Sequence, residues 1–309
     1  IYTGYRRLNS RINSCALCGQ CDEICPERFS MADFCLLLRE EMVRQRKMPP
    51  SAHHFALQEF SASAYEASVL ALGGREETSC SGVFFPGCQL AAARPAQVRF
   101  VFRHLCQNLP GTTGIWLNCC GIPAHFAGRA DMVDKHKGDL KKQWTSLGSP
   151  EVIVACASCL RFFKEQLPEI PVRSLWETLD REAQLPKLFQ SDFSDSGDEE
   201  GGCLCSLHDP CSARNDEKWL ASVRNLLRKA EVPFAEPATT GRTTACCGYG
   251  GLVWNANPEM SAIMAKDRAD KLPGTAMTSC IMCREQLISA GRPSWHLLDI
   301  LVPPEPVLA

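Results

Sequence analysis

Val83-Phe84-Phe85-Pro86-Gly87-Cys88 sets three adjacent apolar residues, a turn-forming Pro-Gly pair and a cysteine in six positions. A short apolar run closed by turn residues reads as a buried strand. The same arrangement recurs downstream. Ile115-Trp116-Leu117 leads into Asn118-Cys119-Cys120-Gly121, and Glu151-Val152-Ile153-Val154-Ala155 leads into Cys156-Ala157-Ser158-Cys159. Helical periodicity fills the intervals: 92–108, with Val98, Val101, Phe102 and Leu105 on one face, then 131–147 and 158–166. A fourth strand is expected at 172–175. Strand and helix in alternation predict an α/β unit with a mostly parallel sheet. Ligands of such sheets gather beyond the carboxyl ends of the strands. All five of these cysteines fall there.

The pattern then repeats. A strand at 204–207 precedes His208-Asp209-Pro210-Cys211, followed by a helix at 217–230, Cys246-Cys247-Gly248 and a helix at 258–272. A strand at 276–278 precedes Cys280/Cys283, a helix running to 290 and a final strand at 295–301. Both halves obey C-x(30–35)-C-C-G-x(30–35)-C-x-x-C, which takes in ten of the nineteen cysteines. The expected architecture is two pseudo-repeated parallel-sheet α/β domains, 81–189 and 203–309, joined by the acidic linker 190–202. Ahead of them stand a small helical cysteine-rich head, 1–47, and a connector, 48–80, with a helix expected near 65–72. The Pro-rich tail after Leu301 reads as irregular.

Composition narrows the class. The chain has 309 residues, 45% of them hydrophobic, which suffices for two or three domains. A net charge of −2 gives no electrostatic reason to bind nucleic acid. No apolar run approaches the ~20 residues that cross a bilayer. The start, 1–10, is polar and basic and carries no secretory signal. A cytoplasmic protein is expected, one that meets a membrane through a partner. Cysteine at about 6% of so long a chain falls short of a disulfide scaffold. Adjacent Cys-Cys and C-x-x-C pairs suit shared metal centres instead.

The head reads Cys15-Ala-Leu-Cys18-Gly-Gln-Cys21-Asp-Glu-Ile-Cys25-Pro26. C-x2-C-x2-C-x3-C-P is the bacterial ferredoxin run: three thiolates hold one [4Fe–4S] cube and the fourth serves a second cube. Zinc sites use paired C-x-x-C units rather than a triple run. Only one run is present, so a second, upstream of Ile1, is expected to complete the second cube. Failing that, Cys35 or Cys80 would supply the fourth ligand, although Cys35 fits a buried helix position. A helix follows the run over 32–46, with Phe34, Leu37, Leu38 and Met42 as its apolar face.

Five thiolates exceed what a cubane needs. A doublet suits a cluster in which one thiolate bridges two irons, and the glycine after it would let backbone approach the inorganic core. The duplicated pattern resembles the cysteine-rich domain of heterodisulfide reductase catalytic subunits. The same domain occurs in iron–sulfur subunits of glycolate oxidase, anaerobic glycerol-3-phosphate dehydrogenase and lactate-utilisation proteins. A ferredoxin-type head before two such domains is similar to the fused form of the reductase, over 15–35 and 83–299. The resemblance implies two noncubane [4Fe–4S] clusters facing each other and cleaving a disulfide one electron at a time. Cys88, Cys119, Cys120, Cys156 and Cys159 would hold one cluster; Cys211, Cys246, Cys247, Cys280 and Cys283 the other. For each set the alternative is zinc or a structural remnant.

Several residues near these sets invite a role. His208 and Asp209 are read either as a proton donor or cluster hydrogen bond, or as a turn and a packed ring. His125 and Arg129 follow the first doublet; Arg129 either grips an anionic substrate or closes a helix-start salt bridge. Tyr249 and Trp254 are expected in the core, and His53-His54 as a surface pair. Cys203 and Cys205 share one face of a strand. With Cys80 and Cys106, they read as ordinary buried thiols.

Two functional readings follow. In the first, electrons enter the head cube from a flavin- or ferredoxin-type partner subunit, and the paired clusters reduce a disulfide or oxidise two thiols of a small molecule or carrier. In the second, the chain is the electron-relay subunit of a flavin-dependent dehydrogenase complex and passes charge to a quinone or carrier. No G-x-G-x-x-G fingerprint is present, so a flavin or nicotinamide would sit on another chain or on residues outside this sequence.

Overall fold

Burial of the three-residue run that opens the first unit is complete: Val83, Phe84 and Phe85 expose no surface. Each such side chain stabilises the fold by roughly 1.5–3 kcal/mol relative to exposure. The computed structural model of the chain describes residues 2–27, 29–73, 80–181 and 205–302. The expected linker 190–202, Cys203 and nearly all of the Pro-rich tail lie outside the described residues.

In chain order the strands are β1 (Leu70–Leu72), β2 (Gly82–Phe85), β3 (Thr113–Leu117), β4 (Glu151–Val154), β5 (Val172–Ser174), β6 (Cys205–His208), β7 (Phe234–Ala235), β8 (Thr275–Thr278) and β9 (Ser294–His296). The first sheet has the order β1-β3-β2-β4-β5, and the second β7-β6-β8-β9. Every pairing is parallel except β1 on β3, which is antiparallel with Leu70 opposite Leu117. The protein is therefore α/β with two parallel-sheet units, as the alternation predicts. Register confirms the internal repeat. Phe85 pairs with Val154 in the first sheet as His208 pairs with Thr278 in the second.

Three local expectations fail. Residues 65–72 are not a helix: a 3₁₀ turn, Glu66–Ser68, leads into β1, because the open edge of β3 offers backbone partners that a short exposed segment can take. The connector's helix lies earlier, at Pro50–Ser63, with proline at its first turn. The last strand stops at His296. There His296 and Asp299 form a capping box, and Leu297–Leu301 is helical. A short segment of four apolar residues and one aspartate does not tell strand from helix by pattern alone. The helix expected over 92–108 begins at Pro95, after a separate turn, Cys88–Ala93, broken at Arg94.

The head comprises helices Tyr2–Asn13, Gln20–Ile24 and Met31–Arg44. The buried face of the third is Ala32, Cys35, Arg39 and Met42; Phe34 and Leu37 are exposed. The apolar residues are thus set off the true core face, because Arg39 occupies it. Arg39 is fully buried and spans three parts of the chain. It donates to the carbonyls of Ile12 (3.1 and 2.8 Å), Cys15 (2.7 Å), Phe126 (2.8 Å) and Gly251 (2.6 Å). His53 packs beside it and is buried, not on the surface, whereas His54 is exposed. Between the two sheets, Trp176 meets Trp219 edge-on at 5.9 Å and Gln97 donates to Asp299 at 2.9 Å.

Candidate metal centre

Strand ends deliver most of the cysteines; the Cys246-Cys247 doublet instead follows a 3₁₀ turn, Gly241–Thr243. In the first unit Cys88 opens a helical turn after Gly87, Cys119-Cys120 follow β3, and Cys156 caps helix Ala157–Gln166 with Cys159 in its first turn. In the second, Cys211 starts a 3₁₀ turn and Cys280 caps helix Ile281–Ser289, which holds Cys283. All five cysteines of the first set, and all of the second except Cys246, line one cavity of about 1170 Å³, open mouth included. Its other walls are largely apolar, among them Phe60, Ile122, Phe126, Tyr249 and Met282. The two sets thus face each other across a shared space.

Cys246 looks the other way, toward the head. Its sulfur lies 3.8 Å from that of Cys211 and shares an apolar patch with Ala16 and Cys18. A dense set of bonds docks the head loop there. Arg214 donates to the carbonyls of Cys18 (3.1 Å), Thr244 (2.7 Å) and Arg242, and Gln20 donates to the Thr243 carbonyl at 3.0 Å. Gly251, at φ +58°, lies so close that a Cβ there would sit 2.4 Å from the Ala16 carbonyl carbon.

Crowded sulfur sets the electrostatics. Cys88 is pushed well above the usual thiol range, first by its sulfur neighbour Cys119 and then by burial. Cys283 is raised by Cys247 and Cys280, while Cys247 is pulled well down by hydrogen bonds from Cys246 and Cys283. Buried sulfurs at this spacing do not all ionise unless positive charge enters among them. Bound iron would supply that charge, and no described cysteine forms a disulfide. Two further features fit an inorganic core. A Cβ on Gly87 (φ +84°) would lie 3.1 Å from Cys156 Cβ and 3.2 Å from Cys159 Sγ. The Nε2 of His208 is buried with no partner, and His208 forms a compact trio with Cys247 and Cys283.

The glycines after the doublets serve a different purpose from the one expected. A Cβ on Gly121 would strike His136 (2.9 Å) and Phe162 (3.1 Å), and one on Gly248 would strike the Ser261 carbonyl (2.4 Å). Both have positive φ, and the space a Cβ would need is filled by later helices of the same domain.

The flanking residues separate. His208 is fully buried in the second set. Asp209 is buried behind it; burial alone would raise its carboxyl, but Arg224 (2.8 Å), Gly241 N (2.8 Å) and Thr240 (3.0 Å) outweigh that and hold it low. His125 and Arg129 do not line the cavity. Arg129 is engaged by Asp131 at 2.6 and 2.7 Å at a helix start. Tyr249 lines the cavity instead of the core, and Trp254 beside it is 42% exposed. Cys80 and Cys205 are buried thiols bonded to the carbonyls of Leu147 and Pro233, whereas Cys106 is exposed. Sequence reading missed Arg39, Arg214 and His296, the last a buried cavity-wall residue. An arginine inside an apolar helix face was the one signal available for the first.

The family described as Cysteine-rich domain (CCG) matches residues 83–164 and 205–288. The chain belongs to the CCG family. Its two CCG domains coincide with the two sheets. Similar proteins include an uncharacterized iron–sulfur protein of Methanococcus maripaludis, 22% identical over 89% of this chain and 56% of its own length. A subunit of the fumarate reductase (CoM/CoB) of Methanothermobacter marburgensis is 24% identical over 87% of this chain and 55% of its own. A subunit of the dihydromethanophenazine:CoB–CoM heterodisulfide reductase of Methanosarcina barkeri is 22% identical over 91% and 73%. The chain spans about half the length of the first two relatives. The chain is thus related to iron–sulfur proteins and to subunits of a fumarate reductase and a heterodisulfide reductase. Among the described residues no helix is long and apolar enough to cross a membrane.

Proposed function

We propose that this chain is the disulfide-reducing subunit of an oxidoreductase complex, with two noncubane [4Fe–4S] clusters in its CCG domains and a [4Fe–4S] cubane in a ferredoxin-like head. The carrying observation is the shared cavity: nine of the ten CCG cysteines line one largely apolar space. Cys88, Cys119, Cys120, Cys156 and Cys159 would hold one cluster, and Cys211, Cys246, Cys247, Cys280 and Cys283 the other. Cys15, Cys18 and Cys21 would hold the cubane, with Cys25 turned to a second. When bound, such clusters supply single electrons near a sulfur–sulfur bond. The net reaction is RS–SR′ plus two electrons and two protons giving RSH and R′SH. A flavin- or ferredoxin-type partner would deliver the electrons.

This chain's residues do the rest. Phe60, Ile122, Phe126 and Met282 give an apolar lining that takes organic substituents and limits water. Cys18 beside Cys246 supports electron entry at the second site. A pure relay needs no lining for organic groups, so the apolar walls beyond the cysteines support disulfide chemistry over that alternative. The test is anaerobic preparation followed by iron and acid-labile sulfide analysis, then mixing with small disulfides. Iron and sulfide in equal amounts, rapid oxidation by a disulfide and a radical signal on oxidation with thiol are expected. Near-zero sulfide ends the cluster reading. Full clusters inert to every disulfide leave the relay.

A further inference from the structure

The two CCG sites are alike in topology and unlike at one register position. Three residues before the lone cysteine, the first site has Phe85 and the second has His208. Both end the strand next to the one that leads to the C-x-x-C pair, opposite Val154 and Thr278. Phe85 spends its ring on Trp116 and Phe163, at 5.2 and 5.4 Å, and has no polar hydrogen to offer. His136, packed against the first doublet's glycine, bonds the Cys119 carbonyl at 2.8 Å rather than a sulfur.

His208 is oriented from behind. Arg268, fully buried, donates its Nε–H to His208 Nδ1 at 2.9 Å and its Nη1 to Thr239 Oγ1 (2.9 Å) and O (3.1 Å). A guanidinium only donates, so Nδ1 must be the accepting nitrogen and Nε2 must carry the ring proton. That Nε2–H is buried and has no partner, and the ring belongs to the compact trio with the sulfurs of Cys247 and Cys283. A buried donor with its acceptor fixed on one side and thiolates on the other is a cluster-tuning arrangement.

We propose that His208, locked in this tautomer by Arg268, donates a hydrogen bond to a Cys247 or Cys283 thiolate and makes the second cluster the easier of the two to reduce. The inference rests on the cluster reading above. The donated bond is worth more to a thiolate when its cluster gains an electron, so it stabilises the reduced form. No proton is transferred; the ring shares the hydrogen it already holds. The cluster beside the head thus receives the incoming electron first, and the Phe85 site second. Arg268 is a positioning residue.

The test uses the full chain, anaerobic, with iron, sulfide and EPR signals verified for both sites. Midpoint potentials are read by EPR-monitored redox titration. His208→Phe, which copies the first site, is expected to make the second cluster about tenfold harder to reduce, about 59 mV for one electron, with the first unmoved. Arg268→Leu is expected to act in the same direction. His208→Gln, which returns an N–H near the Nε2 position, is expected to recover most of the shift. Loaded clusters whose second potential moves less than twofold in His208→Phe overturn the proposal alone. If that variant fails to load, wild-type protein carrying ¹⁵N-histidine decides by pulsed EPR. An imidazole ¹⁵N coupled to the second cluster is expected, and its absence overturns the proposal. Wild-type protein without sulfide at these cysteines overturns the cluster reading first.

Discussion

Replacing Arg39 tests how the head is attached. Its guanidinium makes five bonds to four carbonyls: Ile12 and Cys15 in the head, Phe126 in the first CCG domain and Gly251 in the second. Burial pushes its pKa down to about 10, partly offset by Cys15 and Cys35, so it is still charged at neutral pH. Gross bond energies of about 1.5–3 kcal/mol each to a charged donor overstate the effect, because burying the cation opposes them. A buried carbonyl left without its donor costs about 1–3 kcal/mol, so four of them, partly relaxed, cost about 3–5 kcal/mol together. Arg39→Met fills most of the volume and leaves four carbonyls without their donor. Local opening of the head loop is then expected to rise by about two to three and a half orders of magnitude. Native-state hydrogen exchange on the peptides 12–21 and 248–256 reads this directly. Arg39→Lys, a point charge that does not span four acceptors, should fall between wild type and methionine. If exchange of both peptides changes less than threefold in the methionine variant, the keystone assignment is wrong.

Three further outcomes are expected. Gly251→Ala places a Cβ 2.4 Å from the Ala16 carbonyl carbon at φ +58°, so backbone must give way; slower electron transfer from the head to the second site, by stopped flow, is the readout. Gly87→Ala crowds Cys156 and Cys159 at 3.1 and 3.2 Å, and iron content should drop at the first site while the second stays loaded, as measured by Mössbauer intensity. The third concerns acid. Burial, then Arg39, lowers the His53 pKa from 6.5 to about 4. The unfolded chain therefore binds that proton first, and stability is lost as pH falls from about 6.5 to about 4. The cost is on the order of 3 kcal/mol at the lower end. His53→Leu should flatten that part of the stability-versus-pH curve, measured by denaturant unfolding; an unchanged slope contradicts the assignment.

The repeat was legible because one constraint wrote it twice. A strand buried on both faces must be apolar along its length, and its carboxyl end must turn, so Val83–Phe85 and Glu151–Val154 announce themselves and their cysteines follow. Cysteine spacing then specified which strand ends share a site. Sequence reading failed where a residue's role depends on a distant partner. Residues 65–72 took strand geometry from the free edge of β3, and His53 was buried by a helix that carries no strong periodic signal. Arg39 is the sharper case. Read locally it belongs on a polar face, and that assumption placed Phe34 and Leu37 inside when both are outside.

What the fold adds to the cysteine pattern is direction. Two near-identical sets would give a symmetric chamber with no preferred entrance. The head breaks that symmetry by bonding to the second CCG domain through Arg214, Gln20 and the backbone contact at Gly251, and it brings Cys18 beside Cys246. The other four cysteines of that set line the shared cavity, and Cys246 is the one member that does not. In the proposed mechanism the doublet would serve two surfaces, with Cys246 beside Cys18 of the head and Cys247 on the cavity. That division needs two adjacent cysteines in one loop, which a single residue does not supply. It also gives the Cys246-Cys247 pair a role that spacing alone did not suggest.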